Sequence, residues 1–289
     1  MRFELQQPES IEEAASLLGK YGNDANVIAG GQSLLLMIRT GLVRPRVLIS
    51  LGSLKDLAGI KATSDGSFHL GTLTTHRQIL RSALLKEKIG ILVEAVGRIG
   101  STPVRNFGTI GGNLCHNEMG SDPPSALLVL NAEVECLSPR GRRKMPVSDF
   151  LSGYFETCLD ADEILMGIEV PAPPANGTAV YLKHTTRAGD LAIVGVAVWL
   201  GPDNGAGREA RIALGGVGPV PFRATEAEKL LRQDKLSNDL IEAAAAAAAA
   251  MADPLSDAHA SADYRRKMVR VFVTRAIKRA MGDRSGENR

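Results

Sequence analysis

Cysteine is scarce: Cys115, Cys136 and Cys158 are the only three in 289 residues, spaced 21 and 22 apart. No C-x-x-C pair exists, which excludes a zinc site or iron–sulfur cluster built from ligand spacing within this chain. So sparse and odd a set of thiols fits a reducing compartment. A surplus of either charge is also missing. Lys plus Arg number 34 against 32 for Asp plus Glu, a formal charge of +2, so composition gives no basis for binding nucleic acid or an anionic membrane. The longest apolar run, residues 243–252, is mostly alanine and too short to span a bilayer. The opening MRFELQQPESIEEAA has no basic start followed by an apolar stretch, so no signal peptide is expected. The expectation is a soluble, cytoplasmic protein with no membrane span. Two nucleotide signatures are lacking as well. Neither G-x-G-x-x-G opening a helix nor G-x-x-x-x-G-K-[ST] occurs, which disfavours the Rossmann fold and the P-loop.

What remains is the balance of a globular protein, with 44% hydrophobic and 23% charged residues. The length suits one large domain or two ordinary ones. Ser10 and Glu13 have capping-box spacing, and Ile11, Ala14, Ala15 and Leu18 mark one face of a short helix that Gly19 and the YGND cluster should end. Strands are expected over 26–29, 47–51 and 68–73. Thr75 and Gln78 repeat the box before a helix over 76–85, and another helix covers 89–98. Residues 100–122, rich in Gly, Ser, Thr and Asn, read as a long loop of the kind that serves a site. Asp122 before Pro123 resembles a cap for a helix over 125–131. Residues 134–137, the turn SPRG and 142–146 resemble a hairpin. PAPPANG, 171–177, is the best linker and separates domains 1–175 and 176–289. Beyond it, strands at 180–185, 192–200 and 210–214, with a turn-rich 201–207, precede helices over 225–232, 240–251 and 264–280. That is an α+β arrangement of a three-stranded antiparallel sheet and three helices. The alanine run 243–250 needs only a helical role, and the terminal SGENR is expected to fray.

Two glycine segments carry the chemistry. At 27–34, VIAGGQSL, an apolar strand delivers a glycine pair followed by amide and hydroxyl side chains. Glycine lets backbone N–H groups converge on an anion, although a tight turn would explain this segment alone. At 106–113, NFGTIGGN repeats the pattern inside the suspected loop. Two such nests without a nearby lysine suggest a diphosphate held by neutral donors, as in the middle of a dinucleotide.

AGGQSLLL at 29–36 and PVRNFGTIGGNLCHNEMGSDPPSALLVL at 103–130 resemble the flavoprotein subunits of the molybdenum hydroxylases: the medium subunits of carbon monoxide dehydrogenase-like enzymes and the FAD domain of xanthine dehydrogenase. EILMGIEVP at 163–171, YLKHTTRAGDLAIVGVAV at 181–198 and SADYRRKM at 261–268 extend the resemblance over essentially the whole chain. It implies an α+β, two-part FAD-binding domain of the PCMH type, shared with vanillyl-alcohol oxidases, followed by a smaller C-terminal α+β domain. By position, Ala29, Gly30, Gly31, Gln32 and Ser33, leading into Leu34, match the first flavin loop, and Thr109, Ile110, Gly111, Gly112 and Asn113 match the second. Ile99, Asp122, Leu165 and Lys183 match further cofactor contacts. The loops would hold pyrophosphate and ribityl, and Lys183 would approach the isoalloxazine.

The resemblance also implies a complex of this chain with a small subunit carrying two [2Fe–2S] clusters and a large molybdopterin subunit, as a dimer of heterotrimers. Electrons from substrate would pass through the clusters to FAD and then to an external acceptor, and no catalytic acid or nucleophile is needed in this chain. Gln32 stands where many relatives have His. No histidine matches a covalent attachment site, so non-covalent FAD is expected. The competing readings are a stand-alone flavin reductase resembling the UDP-acetylmuramate reductases, and a scaffold that holds FAD without turnover.

Other candidates read as ordinary structure. Residues 115–119, CHNEM, lack a second metal ligand at useful spacing, so no metal site is expected. His69, His76, His184 and His259 read as surface or satisfied core positions. Arg140, Arg142, Arg143 and Lys144 read as a solvated turn or a subunit contact. Tyr264, Arg265 and Arg266 read as helix-start packing or a partner contact.

Overall fold

The computed structural model describes residues 3–202, 208–233 and 236–282. Most of the turn-rich 201–207, and the terminal SGENR, lie outside the described residues. The chain forms two compact units that interleave in sequence. The first comprises Met1–Arg81, Ser101–Asn117 and Ala132–Pro171; the second comprises Ser82–Gly100, Glu118–Asn131 and Ala172–Arg289.

In the first unit Glu4–Gln6, Val47–Ser50 and Ala25–Ile28 form a parallel sheet in that order. An antiparallel sheet of five runs Ile60–Ala62, Phe68–Gly71, Ile164–Val170, Glu133–Ser138, Gly141–Pro146. The helix Ile11–Tyr21 joins the two: Ile11, Ala14 and Ala15 share one apolar cluster with Val47 and Ile49 of the first sheet and Leu137 and Ile164 of the second. Ser10 caps this helix, its Oγ accepting from Glu13 N at 3.0 Å, while Glu13 reaches past the cap to accept from Glu9 N at 2.8 Å. The helix passes through Gly19 and ends at Gly22, where φ is 50°.

Three further boundaries differ from expectation. The helix expected over 76–85 breaks into His76–Arg81 and Ala83–Lys88, because Ser82 leaves the helical path and caps the second piece through Leu85 N at 3.2 Å. The stretch 100–122 is no open loop: it folds into the short helices Thr102–Phe107 and Ile110–His116, whose shortness hides any amphipathic period. Asp122 is not a cap. Ser121 takes that position and Asp122 begins the helix Asp122–Val129, its carboxylate committed elsewhere. The expected hairpin forms, and its basic residues are exposed to solvent as expected, although they carry ion pairs that spacing did not show. Arg140 bridges Asp160 at 2.7 Å and Asp162 at 2.6 Å, and Arg143 grips the buried Glu163 at 2.6–2.7 Å.

In the second unit Thr178–His184, Val194–Leu200, Ala210–Gly215 and Phe222–Arg223 form an antiparallel sheet. The three expected strands therefore gain a fourth, too short to show as a pattern, and the α+β class holds. Val180, Val194, Val196, Val198, Ile212 and Leu214 pack with apolar residues of the helices Thr225–Gln233, Asn238–Met251 and Ala262–Ala280. The opposite face meets the helices Gly90–Gly97 and Asp122–Val129. Cover on both faces explains why 194–200 is apolar throughout instead of alternating. Arg265 belongs to this packing, donating to the carbonyls of Ile193 at 2.7 Å and Gly216 at 3.0 Å and pairing with Asp257.

Candidate cofactor site

The strand Ala25–Ile28 delivers Ala29 and the glycine pair directly into the helix Leu34–Arg39. Gly31 sits at φ 69°, a left-handed turn that favours glycine. Gly30 serves a different need. A Cβ there would lie 2.0 Å from the carbonyl oxygen of Phe107, so the absence of a side chain lets the first loop touch the segment entering the second. Gly112 completes the junction, its Cβ position 3.9 Å from the Ala29 methyl. The two glycine loops, some 80 residues apart in sequence, are thus adjacent within the first unit.

Their hydrogen-bonding states are opposite. Among the described residues, the amides of Gly30, Gly31, Gln32 and Ser33 have no protein acceptor, and the Gln32 side chain folds back to donate to Gly30 O at 3.0 Å. In the second loop every amide from 110 to 113 is engaged. Ile110 N donates to Thr74 O at 2.9 Å, Gly111 N to Thr72 O at 3.0 Å, Gly112 N to Thr109 Oγ1 at 3.1 Å and Asn113 N to Thr109 O at 3.0 Å. The expectation of two equivalent nests is corrected accordingly. Only the first loop offers a run of open amides; the second contributes shape.

That shape is set by residues 72–76, which the sequence marks as a strand end and a helix start and not as part of the site. Residues 72–76 lie alongside the second loop, with a bridge between Thr75 and Thr109 and a hydrogen bond from His76 N to Gly108 O at 2.9 Å. Gly111 is packed so tightly on this rail that a Cβ would lie 1.8 Å from Thr72 Oγ1. Thr74 anchors the rail by exchanging hydrogen bonds of 2.9 Å with the backbone of Gly59. Thr75 and Gln78 form the expected reciprocal box. His76 is not a satisfied core residue: it is 2% exposed and its Nδ1 has no partner. Burial, reinforced by the charge of Arg105, lowers its pKa to about 4. The sequence signals for this rail are the Thr75/Gln78 box and the threonine-rich GTLTTH, residues 71–76, neither of which points to a ligand.

Leu165 is buried in the central strand of the five-stranded sheet, paired with Cys136 at a bulge. Ile99, Asp122 and Lys183 fall in the second unit. There Lys183 Nζ donates to Asp122 Oδ2 at 2.9 Å and to Arg98 O at 3.2 Å, and Tyr181 donates to Asp122 Oδ1 at 2.6 Å. Both side chains of the ion pair are 4% exposed. Burial raises the Asp122 pKa despite the opposing pull of Lys183 and Tyr181, and burial together with the Asp122 charge pushes the Tyr181 phenol well above 10. Among the described residues no group of three or more His, Cys, Asp or Glu is placed to hold a metal, and no helix is long and apolar enough to cross a membrane.

Residues 1–173 match the family described as the FAD binding domain in molybdopterin dehydrogenase, and residues 179–280 match the CO dehydrogenase flavoprotein C-terminal domain. The chain belongs to the FAD-binding subunits of the molybdenum hydroxylases. Among these flavoproteins it is 34% identical to the carbon monoxide dehydrogenase medium chain of Hydrogenophaga pseudoflava over 281 residues, 96% of this chain and 97% of that one. It is 35% identical to the 6-hydroxypseudooxynicotine dehydrogenase complex subunit alpha of Paenarthrobacter nicotinovorans, over 96% of this chain and 94% of the relative. The solved structure of carbon monoxide dehydrogenase from H. pseudoflava lacking the Mo-pyranopterin moiety superposes with a TM-score of 0.94, covering 98% of each chain. The flavoprotein's cofactor is FAD, and the first loop fits a diphosphate: open amides, no side chain at Gly30 or Gly31, and no competing carboxylate within the loop.

Proposed function

We propose that this chain is the electron-transfer flavoprotein of a three-part complex, working with a small [2Fe–2S] subunit and a large molybdopterin subunit as a dimer of heterotrimers in the cytoplasm. In this reading 1–175 is the FAD-binding domain and 176–289 the C-terminal domain. When bound, FAD supplies reversible redox chemistry between the clusters and an external acceptor, and the protein supplies position and electrostatics.

The first loop, Ala29 to Ser33 with Leu34 behind it, receives the pyrophosphate on its open amides. Thr109, Ile110, Gly111, Gly112 and Asn113 form the opposing wall and line the ribityl. Ile99, Asp122, Leu165 and Lys183 are further cofactor contacts, and Lys183 approaches the isoalloxazine. FAD is held without a covalent bond. The observation that carries the reading is the closure of the two glycine loops on one another, with a run of open amides from Gly30 to Ser33 in the first.

Purification with and without the neighbouring subunits tests it. The expected result is a lone chain whose flavin is chemically reducible but which oxidises no organic substrate, activity returning only with both partners. Full turnover with NAD(P)H by the lone chain would favour a self-contained reductase, a reading that the match of residues 179–280 to the CO dehydrogenase flavoprotein C-terminal domain opposes.

A further inference from the structure

Tyr181 is a buried, titratable side chain that the proposed function leaves without a role. It is 0% exposed, and its hydroxyl meets the carboxylate of Asp122 at 2.6 Å. On the strand Thr178–His184, residues 181 and 183 project to the same face, so Tyr181 and Lys183 approach Asp122 together and occupy one carboxylate oxygen each. The phenol is itself held. Tyr181 N donates to Glu94 Oε2 at 3.1 Å, and on the neighbouring strand Gly195, paired with Lys183, leaves the space the hydroxyl fills, since a Cβ there would lie 2.8 Å from Tyr181 Oη.

We propose that Tyr181 is a positioning residue for the cofactor: through Asp122 it fixes where the Lys183 ammonium sits and how far its charge is neutralised. The proposal rests on the reading that Lys183 faces the flavin. A carboxylate held at a single oxygen can turn about its terminal bond, whereas one held at both cannot. Lys183 spends two of its three donors on Asp122 and Arg98 O, so its remaining N–H points wherever those two acceptors dictate. Removing the phenol hydroxyl leaves Asp122 Oδ1 buried without that donor, which favours a turned or protonated carboxylate and an under-compensated ammonium. The lost compensation is read as a shift in the flavin redox equilibrium of about tenfold, since hydrogen bonds to charged groups are among the stronger ones.

The test is redox titration of the FAD-loaded protein for Tyr181→Phe, Gly195→Ala and, as a reference, Lys183→Met. Gly195→Ala keeps the phenol but displaces it, which separates positioning from loss of folding in Tyr181→Phe. At fixed ambient potential, Tyr181→Phe is expected to change the ratio of reduced to oxidised flavin about tenfold in favour of the reduced form. Lys183→Met should change it in the opposite direction, and Gly195→Ala should follow Tyr181→Phe with a smaller effect. A response to Lys183→Met with none to Tyr181→Phe or Gly195→Ala overturns the role of Tyr181 and leaves the placement of Lys183 intact. No response to any of the three removes Lys183 from the flavin and the inference with it.

Discussion

Gly111 and Thr72 leave no space between them: a methyl on the glycine would stand 1.8 Å from the threonine hydroxyl and 2.8 Å from its carbonyl oxygen. The second glycine loop is therefore moulded on residues 72–76. Gly111→Ala should force the loop off its rail, costing about 1–3 kcal/mol as overpacking does and emptying the site of FAD. The ratio of flavin to protein absorbance, read beside the thermal midpoint, checks this; full occupancy would show that the rail does not shape the site.

Gly30 faces a different obstacle, the Phe107 carbonyl at 2.0 Å. Gly30→Ala should part the two loops while leaving the strand Ala25–Ile28 paired, so FAD affinity should fall at least tenfold with the circular dichroism unchanged. Thr109→Val probes the second loop more gently. It removes the hydroxyl that caps Gly112 N, costing about 1 kcal/mol of stability, and FAD titration should show a smaller loss than Gly30→Ala.

His76 makes stability depend on pH. Its folded pKa of about 4 lies below the free value of 6.5, because burial disfavours the imidazolium. The unfolded chain therefore takes up the proton first as pH falls. The contribution is fully present above 6.5 and is lost on acidification toward 4, amounting to roughly 2 kcal/mol at pH 5. Urea unfolding at pH 8 and pH 5 should show this loss in the parent protein and a smaller one in His76→Gln. Equal losses in both would mean that other groups carry it.

Arg143 of the hairpin pairs with Glu163 through two contacts of 2.6–2.7 Å, the carboxylate side chain only 2% exposed. The hydrogen bonds from Arg143 hold the Glu163 pKa below its usual value, so this stability is present at neutral pH and disappears as acid titrates the carboxylate. Arg143→Met strands a buried charge, for a loss of about 3 kcal/mol, and Arg143→Met with Glu163→Gln should recover part of it. Thermal melts of both variants decide the point.

The glycine motifs, the capping residues and the strands of the C-terminal sheet were legible because each is a local matter of backbone freedom or periodicity. What failed was also local in cause. Ser82 broke a helix that its neighbours would have continued, and two helices of six and seven residues were too short to display a period. The difference between the two glycine loops was invisible, since TIGG and AGG read alike until the partners of their amides are known. Thr72 and Tyr181 were missed for the same reason: nothing in a threonine or tyrosine says that it will be pressed against a glycine or a buried carboxylate.

The sequence by itself determined where glycine frees the backbone, which stretches are apolar on one face or on both, and the family to which the motifs belong, because these depend on residue type and spacing alone. Tertiary structure decided which amides stay open for a ligand, that 82–100 and 118–131 join the later half of the chain, and that Asp122 is clasped by Tyr181 and Lys183. Hydrogen bonds and close packing are satisfied by whichever partner arrives in space, and that partner can come from 61 residues away.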